Sequence, residues 1–249
     1  MIGFDYSGKN YIVTGGAGGM GSCVVRGIAA GGGKVALVDL NEEAAAKIVA
    51  ENPEQIHFYK MDLADHEDIR TVAAQIIRDF GQVHGLVNLA GIVDTTKFMD
   101  MTDEIWDRVM NINLTSQYVL IHALFGHMAE HRYGRIVNVA SVAAKVGGGL
   151  FGTSAYAVSK AGVVCLTKAI AKEGSPYGIV CNAVCPGYVK TPLVAALKAE
   201  QEEKVLAGSQ LHRPADPQEV ANLMLFYLSD LASFIDGEIG DADGGATLD

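Results

Sequence analysis

Short, unbroken apolar runs alternate with longer stretches of helical period along nearly the whole chain. Residues 10–14, 34–40, 56–61, 83–88, 135–139 and 179–183 read as strands, with a last short strand around Ile239. A three-to-four-residue period marks 19–30, 42–50, 67–80, 103–110, 114–131, 155–173, 193–206 and 218–229 as helices. The strands lack the apolar–polar alternation of a half-solvated sheet, so both their faces are buried. Such strands separated by helices predict an α/β fold: a doubly wound parallel sheet of about seven strands with helices on both faces. No repeat, low-complexity tract or linker interrupts the pattern, so residues 1–249 are expected to form a single domain.

Composition narrows the function classes. The 249 residues are 49% hydrophobic and 19% charged, which supports a large core and excludes a disordered chain. No apolar run approaches the ~20 residues of a spanning helix. The first ten residues lack a basic region followed by an apolar core, so no secretory signal is expected and a cytoplasmic location is. Nineteen basic against 29 acidic residues leave a net charge of −10, which argues against nucleic acid and anionic membranes as partners. Cys23, Cys165, Cys181 and Cys185 show no CxxC spacing and are expected to be free, buried thiols.

Candidate chemistry begins at the first turn. After the first strand comes Thr14-Gly15-Gly16-Ala17-Gly18-Gly19-Met20-Gly21, opening a helix. Glycines let backbone approach a ligand closely, and a helix N-terminus offers unpaired N–H groups to a pyrophosphate. Two glycine registers fit, GxGxxG on Gly16, Gly18 and Gly21, and GxxxGxG on Gly15, Gly19 and Gly21. A P-loop is excluded because no Lys-Ser/Thr follows. Asp39 ends the second strand 18 residues after Gly21, where an acid holds ribose hydroxyls and repels a 2′-phosphate. No Arg or Lys stands at Leu40, Asn41 or Glu42, so NAD(H) is expected over NADP(H). Farther on, Tyr156 and Lys160 are four residues apart on one predicted helix face. A cation beside a phenol favours the phenolate, which makes Tyr156 a candidate general acid/base tuned by Lys160.

These motifs, with others in the same order, make the chain resemble the short-chain dehydrogenase/reductase family along nearly its whole length. Thr14 to Gly21 matches TGxxxGxG, Asp62-Leu63 the acidic step before the adenine pocket, and Asn88-Leu89-Ala90-Gly91 the NNAG segment. Asn113 follows an Ile, Ser141 follows a strand, and Tyr156 and Lys160 form YxxxK. Pro186-Gly187-Tyr188-Val189-Lys190-Thr191 matches the Pro-Gly turn, and Asp243-Gly244-Gly245 the C-terminal signature. Leu89 replaces the second Asn of NNAG, residues 142–155 look slightly long, and Arg213-Pro214 departs from the usual pairing.

The resemblance implies a Rossmann-like fold and catalysis by Asn113, Ser141, Tyr156 and Lys160. It implies cofactor contacts from Gly15, Ala17, Gly18, Gly19, Met20, Gly21, Asp39, Leu40, Asp62, Leu63, Asn88, Leu89, Ala90, Gly91, Pro186, Gly187, Val189 and Thr191, besides Tyr156 and Lys160. Asn113 is implied to kink its helix and hold a water of a proton relay. A homotetramer through the helices carrying Asn113 and Tyr156 is implied as well, to which the apolar stretch 118–125 is suited. The expected reaction is hydride transfer between NAD(H) and a secondary alcohol or ketone of the small polyol, sugar or cyclic alcohol class. A 3-oxoacyl thioester reductase is the enzymatic alternative; it usually takes NADPH and wants a basic patch for an acidic carrier. A dinucleotide-binding sensor or scaffold is the non-enzymatic one. The pocket is expected to be lined from 93–99, 142–151 and 191–211, with Asp94, Lys97, Lys145, Lys190 and Lys198 as its charges. His127 and His131 fit H-x-x-E-H, a zinc pattern, but a polar helix end without a third ligand explains them more simply, and no metal is expected.

Overall fold

The computed structural model describes residues 4–149, 152–191 and 199–248. In chain order its elements are β1 (Asn10–Thr14), α1 (Gly19–Ala30), β2 (Lys34–Asp39), α2 (Glu42–Val49), β3 (Ile56–Lys60), α3 (His66–Phe80), β4 (Gly85–Asn88) and α4 (Asp103–Met110). There follow α5 (Ser116–Glu130), β5 (Gly134–Val139), α6 (Ala143–Val146), α7 (Ser154–Gly174), β6 (Ile179–Pro186), α8 (Ala199–Ala207), α9 (Pro217–Leu228) and β7 (Ile239–Ala242). Among the described residues the seven strands form one sheet in the order β3-β2-β1-β4-β5-β6-β7, and every neighbouring pair is parallel. Chain direction across the sheet reverses between β1 and β4, and a crevice opens there beyond the strand C-termini.

Alternate strand residues serve opposite layers. Val13, Leu37, Val87 and Val137 pack with Val24, Ile28 and Leu225 of α1 and α9. Ile12, Val38, Leu86 and Ile136 pack with Ile69 and Ile76 of α3 and Leu120 and Leu124 of α5. Both faces are therefore covered, as the unbroken apolar runs require. Helix starts carry their own stops: Asp65 accepts the N–H groups of Glu67 and Asp68 at α3, and Asp216 with Glu219 closes a capping box at α9.

Several boundaries differ from the sequence pattern. β6 continues to Pro186 because β7 runs beside it from Ala183–Ile239 to Pro186–Ala242, and a proline at a strand's last residue gives up only one donor. The stretch Asn111–Thr115 is a π-turn between α4 and α5, and α6 is a four-residue helix that the pattern did not mark. Of the helix expected over 193–206, α8 is the described part; 193–198 lie outside the described residues. The cysteines are free, but Cys165 is exposed on α7 and Cys23 half-buried; only Cys181 and Cys185 are buried as expected. Among the described residues no helix is long and apolar enough to cross a membrane.

Candidate active site

A cavity of about 270 Å³ opens beyond the C-terminal ends of β4, β5 and β6. Leu89, Ile92, Val93, Val142, Val189 and Val205 give it a largely apolar wall, and Ser141, Tyr156 and Lys160 stand together on its polar side. Ser141 stands two residues past the end of β5, while Tyr156 and Lys160 come from the first two turns of α7. The start of α7 is fastened by Thr153, whose N–H donates to the Asp94 carbonyl (3.1 Å) and whose hydroxyl donates to that of Thr96 (2.5 Å). One helical turn then brings Tyr156 and Lys160 to the same face.

Lys160 is buried, and its ammonium donates to the Val139 carbonyl at 2.8 Å. It lies 5.8 Å from the centre of the Tyr156 ring. Burial lowers the Lys160 ammonium to about 8. Burial also pushes the Tyr156 phenol above its ordinary value, with a hydrogen bond to Ser141 pulling the other way. This corrects the expected phenolate. Desolvation outweighs the nearby cation, whose charge is directed at a carbonyl rather than at the phenol oxygen. Both shifts favour a protonated phenol beside the Lys160 side chain at neutral pH.

That arrangement sets a pH dependence. Proton donation leaves a phenolate, which the Lys160 ammonium stabilises and a neutral amine does not. Proton donation from Tyr156 is expected to hold steady at neutral pH and to fall as pH rises through about 8, where Lys160 loses its proton. A steady-state pH profile of kcat checks this, and a rate that climbs across that range contradicts the pairing.

Asn113 is fully buried within the π-turn, where the extra residue per turn swings it inward. Its Oδ1 accepts the Ile92 N–H (2.8 Å), and its Nδ2 donates to the Ile92 carbonyl (2.9 Å) and the Ser159 hydroxyl (3.2 Å). The side chain thus clamps one cavity wall to α7.

The glycine turn lies at the other end of the crevice. Gly15 has φ +66°, and a Cβ on Gly21 would stand 2.0 Å from the Gly15 carbonyl oxygen, so the turn closes only with glycine at both places. Gly18 caps α1 without any side-chain hydrogen bond, which leaves the first-turn N–H groups of Gly19, Met20 and Gly21 for a ligand. Asp39 reaches back to this turn: its Oδ2 accepts the Ala17 N–H (3.0 Å) and its Oδ1 that of Asn41 (2.9 Å). An uncapped helix start, a close-packed glycine turn and a carboxylate at the end of β2 fit a dinucleotide cofactor.

The remaining candidate cofactor residues divide by place. Met20, Leu89, Gly91, Pro186, Gly187, Val189 and Thr191 line the cavity. Ala90 packs its backbone on Gly15. Leu40 is exposed just beyond β2. Asp62 and Leu63 follow β3, where Asp62 accepts the Ala64 N–H and Leu63 packs toward the core. Asn88 is buried, and its amide donates to Asn138 Oδ1 (2.9 Å) inside the sheet.

Of the expected pocket charges, Lys145 pairs with Asp241 at 2.6 Å, and Lys198 lies outside the described residues. Ser209 lines the cavity from within the expected 191–211 stretch, whereas Gly152 was not among the expected lining residues and Tyr188 was marked only as part of the Pro-Gly motif. Tyr188 donates to Glu202 of α8 at 3.0 Å; Gly152 carries no pattern that could have marked it. His127 uses Nε2 to accept the Val83 N–H (3.1 Å), and burial lowers its imidazole, so the H-x-x-E-H pair is engaged in packing the end of α5. Among the described residues no three His, Cys, Asp or Glu side chains converge as metal ligands.

Comparison with known proteins matches this geometry. A family model described as enoyl-(acyl carrier protein) reductase matches residues 15–247. An acetoacetyl-CoA reductase of Shinella zoogloeoides is 36% identical over 94% of this chain and 96% of its own. A 3-oxoacyl-(acyl-carrier-protein) reductase of Thermotoga maritima is 34% identical over 97% and 98%. The solved structure of a putative gluconate dehydrogenase from Agrobacterium tumefaciens superposes with a TM-score of 0.93 at 28% identity, over 100% of both chains. With the sheet order, the glycine turn and the Ser141, Tyr156 and Lys160 cluster in place, this chain belongs to the short-chain dehydrogenase/reductase family of oxidoreductases.

Proposed function

We propose that the protein reduces the ketone of a 3-oxoacyl thioester, using NADH. The observation that carries this reading is the half-buried Tyr156 phenol, grouped with Ser141 and Lys160 on the polar side of an otherwise apolar cavity. An apolar wall suits an acyl chain better than the hydroxyl-rich body of a polyol, each hydroxyl of which would lose its hydrogen bonds to water. The names of two relatives, acetoacetyl-CoA reductase and 3-oxoacyl-(acyl-carrier-protein) reductase, support the same substrate class. The thioester thereby takes precedence over the small polyol or sugar expected from sequence.

Ser141 would hydrogen-bond the ketone oxygen and hold it within reach of Tyr156. A nicotinamide cofactor held along the glycine turn and the cavity wall would supply the hydride to the carbonyl carbon. Tyr156 gives its proton to the oxygen, and Lys160 stabilises the phenolate left behind until water restores the proton. Asn113 keeps the wall at Ile92 in place. Asp39 favours NADH because its carboxylate accepts ribose hydroxyls and repels a 2′-phosphate. A homotetramer through α5 and α7 belongs to the same proposal, since Tyr118 and Val158 leave apolar surface exposed on those helices.

The test is NADH consumption with acetoacetyl-CoA beside NAD reduction with a panel of polyols and sugars. The thioester is expected to give the higher kcat/KM by at least about tenfold, the low end of what a single methylene is worth in an apolar pocket. Faster polyol oxidation overturns the substrate assignment in favour of a sugar-alcohol dehydrogenase, the reading that the gluconate dehydrogenase neighbour supports. Cofactor binding without turnover on either class would mark a dinucleotide sensor.

A further inference from the structure

We infer that Gly152 is a positioning residue for Tyr156: its bare Cα is the surface against which the phenol ring is seated. The inference rests on the proposed role of Tyr156 as proton donor and adds how the ring is aimed. A Cβ on Gly152 would stand 2.3 Å from Cδ1 of Tyr156, 2.7 Å from Cγ and 2.9 Å from its Cβ. These are three adjoining atoms of one side chain, two of them in a rigid ring, so no flexible end can swing aside. Ordinary contact begins at 3.4 Å, and the ring would have to move by about 1 Å.

The seat is held from two sides. The Gly152 carbonyl accepts the N–H of Gly149 at 2.8 Å, and the next residue, Thr153, is tied to Asp94 and Thr96. The ring is therefore caught between a backbone surface on one side and Ser141 with the cavity on the other. Gly152 does not adopt a positive φ, unlike Gly147 and Gly148 nearby. Backbone conformation alone would admit alanine there, so the space taken by the Tyr156 ring is what excludes it.

The experiment compares Gly152→Ala with Tyr156→Phe in the full-length protein. A misplacement of about 1 Å costs on the order of 100-fold in rate, so kcat of Gly152→Ala is expected to fall by about that factor. NADH affinity should stay near wild type, and the thermal midpoint should drop by only a few degrees, the cost of local overpacking. The fall of kcat with rising pH should also move, because a displaced ring changes the surroundings of the Lys160 ammonium, which lies 5.8 Å from its centre; a purely structural role would leave the shape of that profile alone. Wild-type kcat in Gly152→Ala overturns the inference. So does a loss of kcat matched by equal losses of NADH binding and stability with an unchanged pH profile. If Tyr156→Phe itself keeps turnover, the proton-donor reading fails; if Tyr156→Phe is dead and Gly152→Ala is fully active, only the seating role fails.

Discussion

Tyr156→Phe is expected to reduce turnover by about 10³-fold while leaving NADH binding within about twofold, because general acid catalysis contributes roughly 10²–10⁴. The substitution keeps the ring, its contact with Gly152 and its burial, and removes only the oxygen that Ser141 bonds. The other proton donors among the described cavity residues are already engaged. Lys160 is committed to the Val139 carbonyl, and the Tyr188 phenol donates to Glu202 at 3.0 Å. Stopped-flow NADH titration and steady-state ketone reduction read the two halves of the prediction separately. Retained turnover would exclude Tyr156 as the donor.

Asp39→Ala is expected to shift the NADH-to-NADPH preference by roughly 10³-fold. Hydrogen bonds to a charged acceptor contribute about 1.5–3 kcal/mol each, so losing the ribose contacts should weaken NADH by about 100-fold. Removing the carboxylate also lifts its repulsion of a 2′-phosphate, for which about tenfold is a moderate figure at a partly solvated site. The Ala17 N–H loses its acceptor in the same stroke, so some loosening of the glycine turn should lower affinity for both cofactors. Kd values for both dinucleotides, measured on wild type and variant, give the ratio directly. A wild type that prefers NADPH would overturn the role given to Asp39.

The sheet was legible because buried parallel strands leave a plain mark, a short run of residues with no polar face to hide. β1 and α1 fall where that pattern and the glycine turn place them. The π-turn at Asn111–Thr115 left no such mark, since a shift in hydrogen-bond partner does not alter which residues are apolar. β6 was cut short because Pro186 reads as a turn until β7 is seen beside it. In the site, residue types and spacing pointed to Ser141, Tyr156 and Lys160, which the fold brings to one cavity. The direction of the phenol's shift was not legible, because it depends on how much water is removed and where the ammonium points. Gly152 was equally hidden: its meaning lies in the ring that occupies the space a side chain would need.

Asn88 and Asn138 carry a consequence for how reliably the sheet assembles. They are register partners on β4 and β5, with their amides joined at 2.9 Å, and Asn138 goes on to Thr167 of α7 at 3.0 Å. Slipping β4 by one residue would turn Asn88 to the opposite face and strand several buried polar groups, at about 1–3 kcal/mol each. The apolar positions of these strands are nearly interchangeable, since Val, Ile and Leu fill either face. The amides therefore act as a key cut into an otherwise uniform surface, one that admits a single alignment beside the crevice. Leucines in their place could hold the sheet as tightly and yet let it set in more than one way.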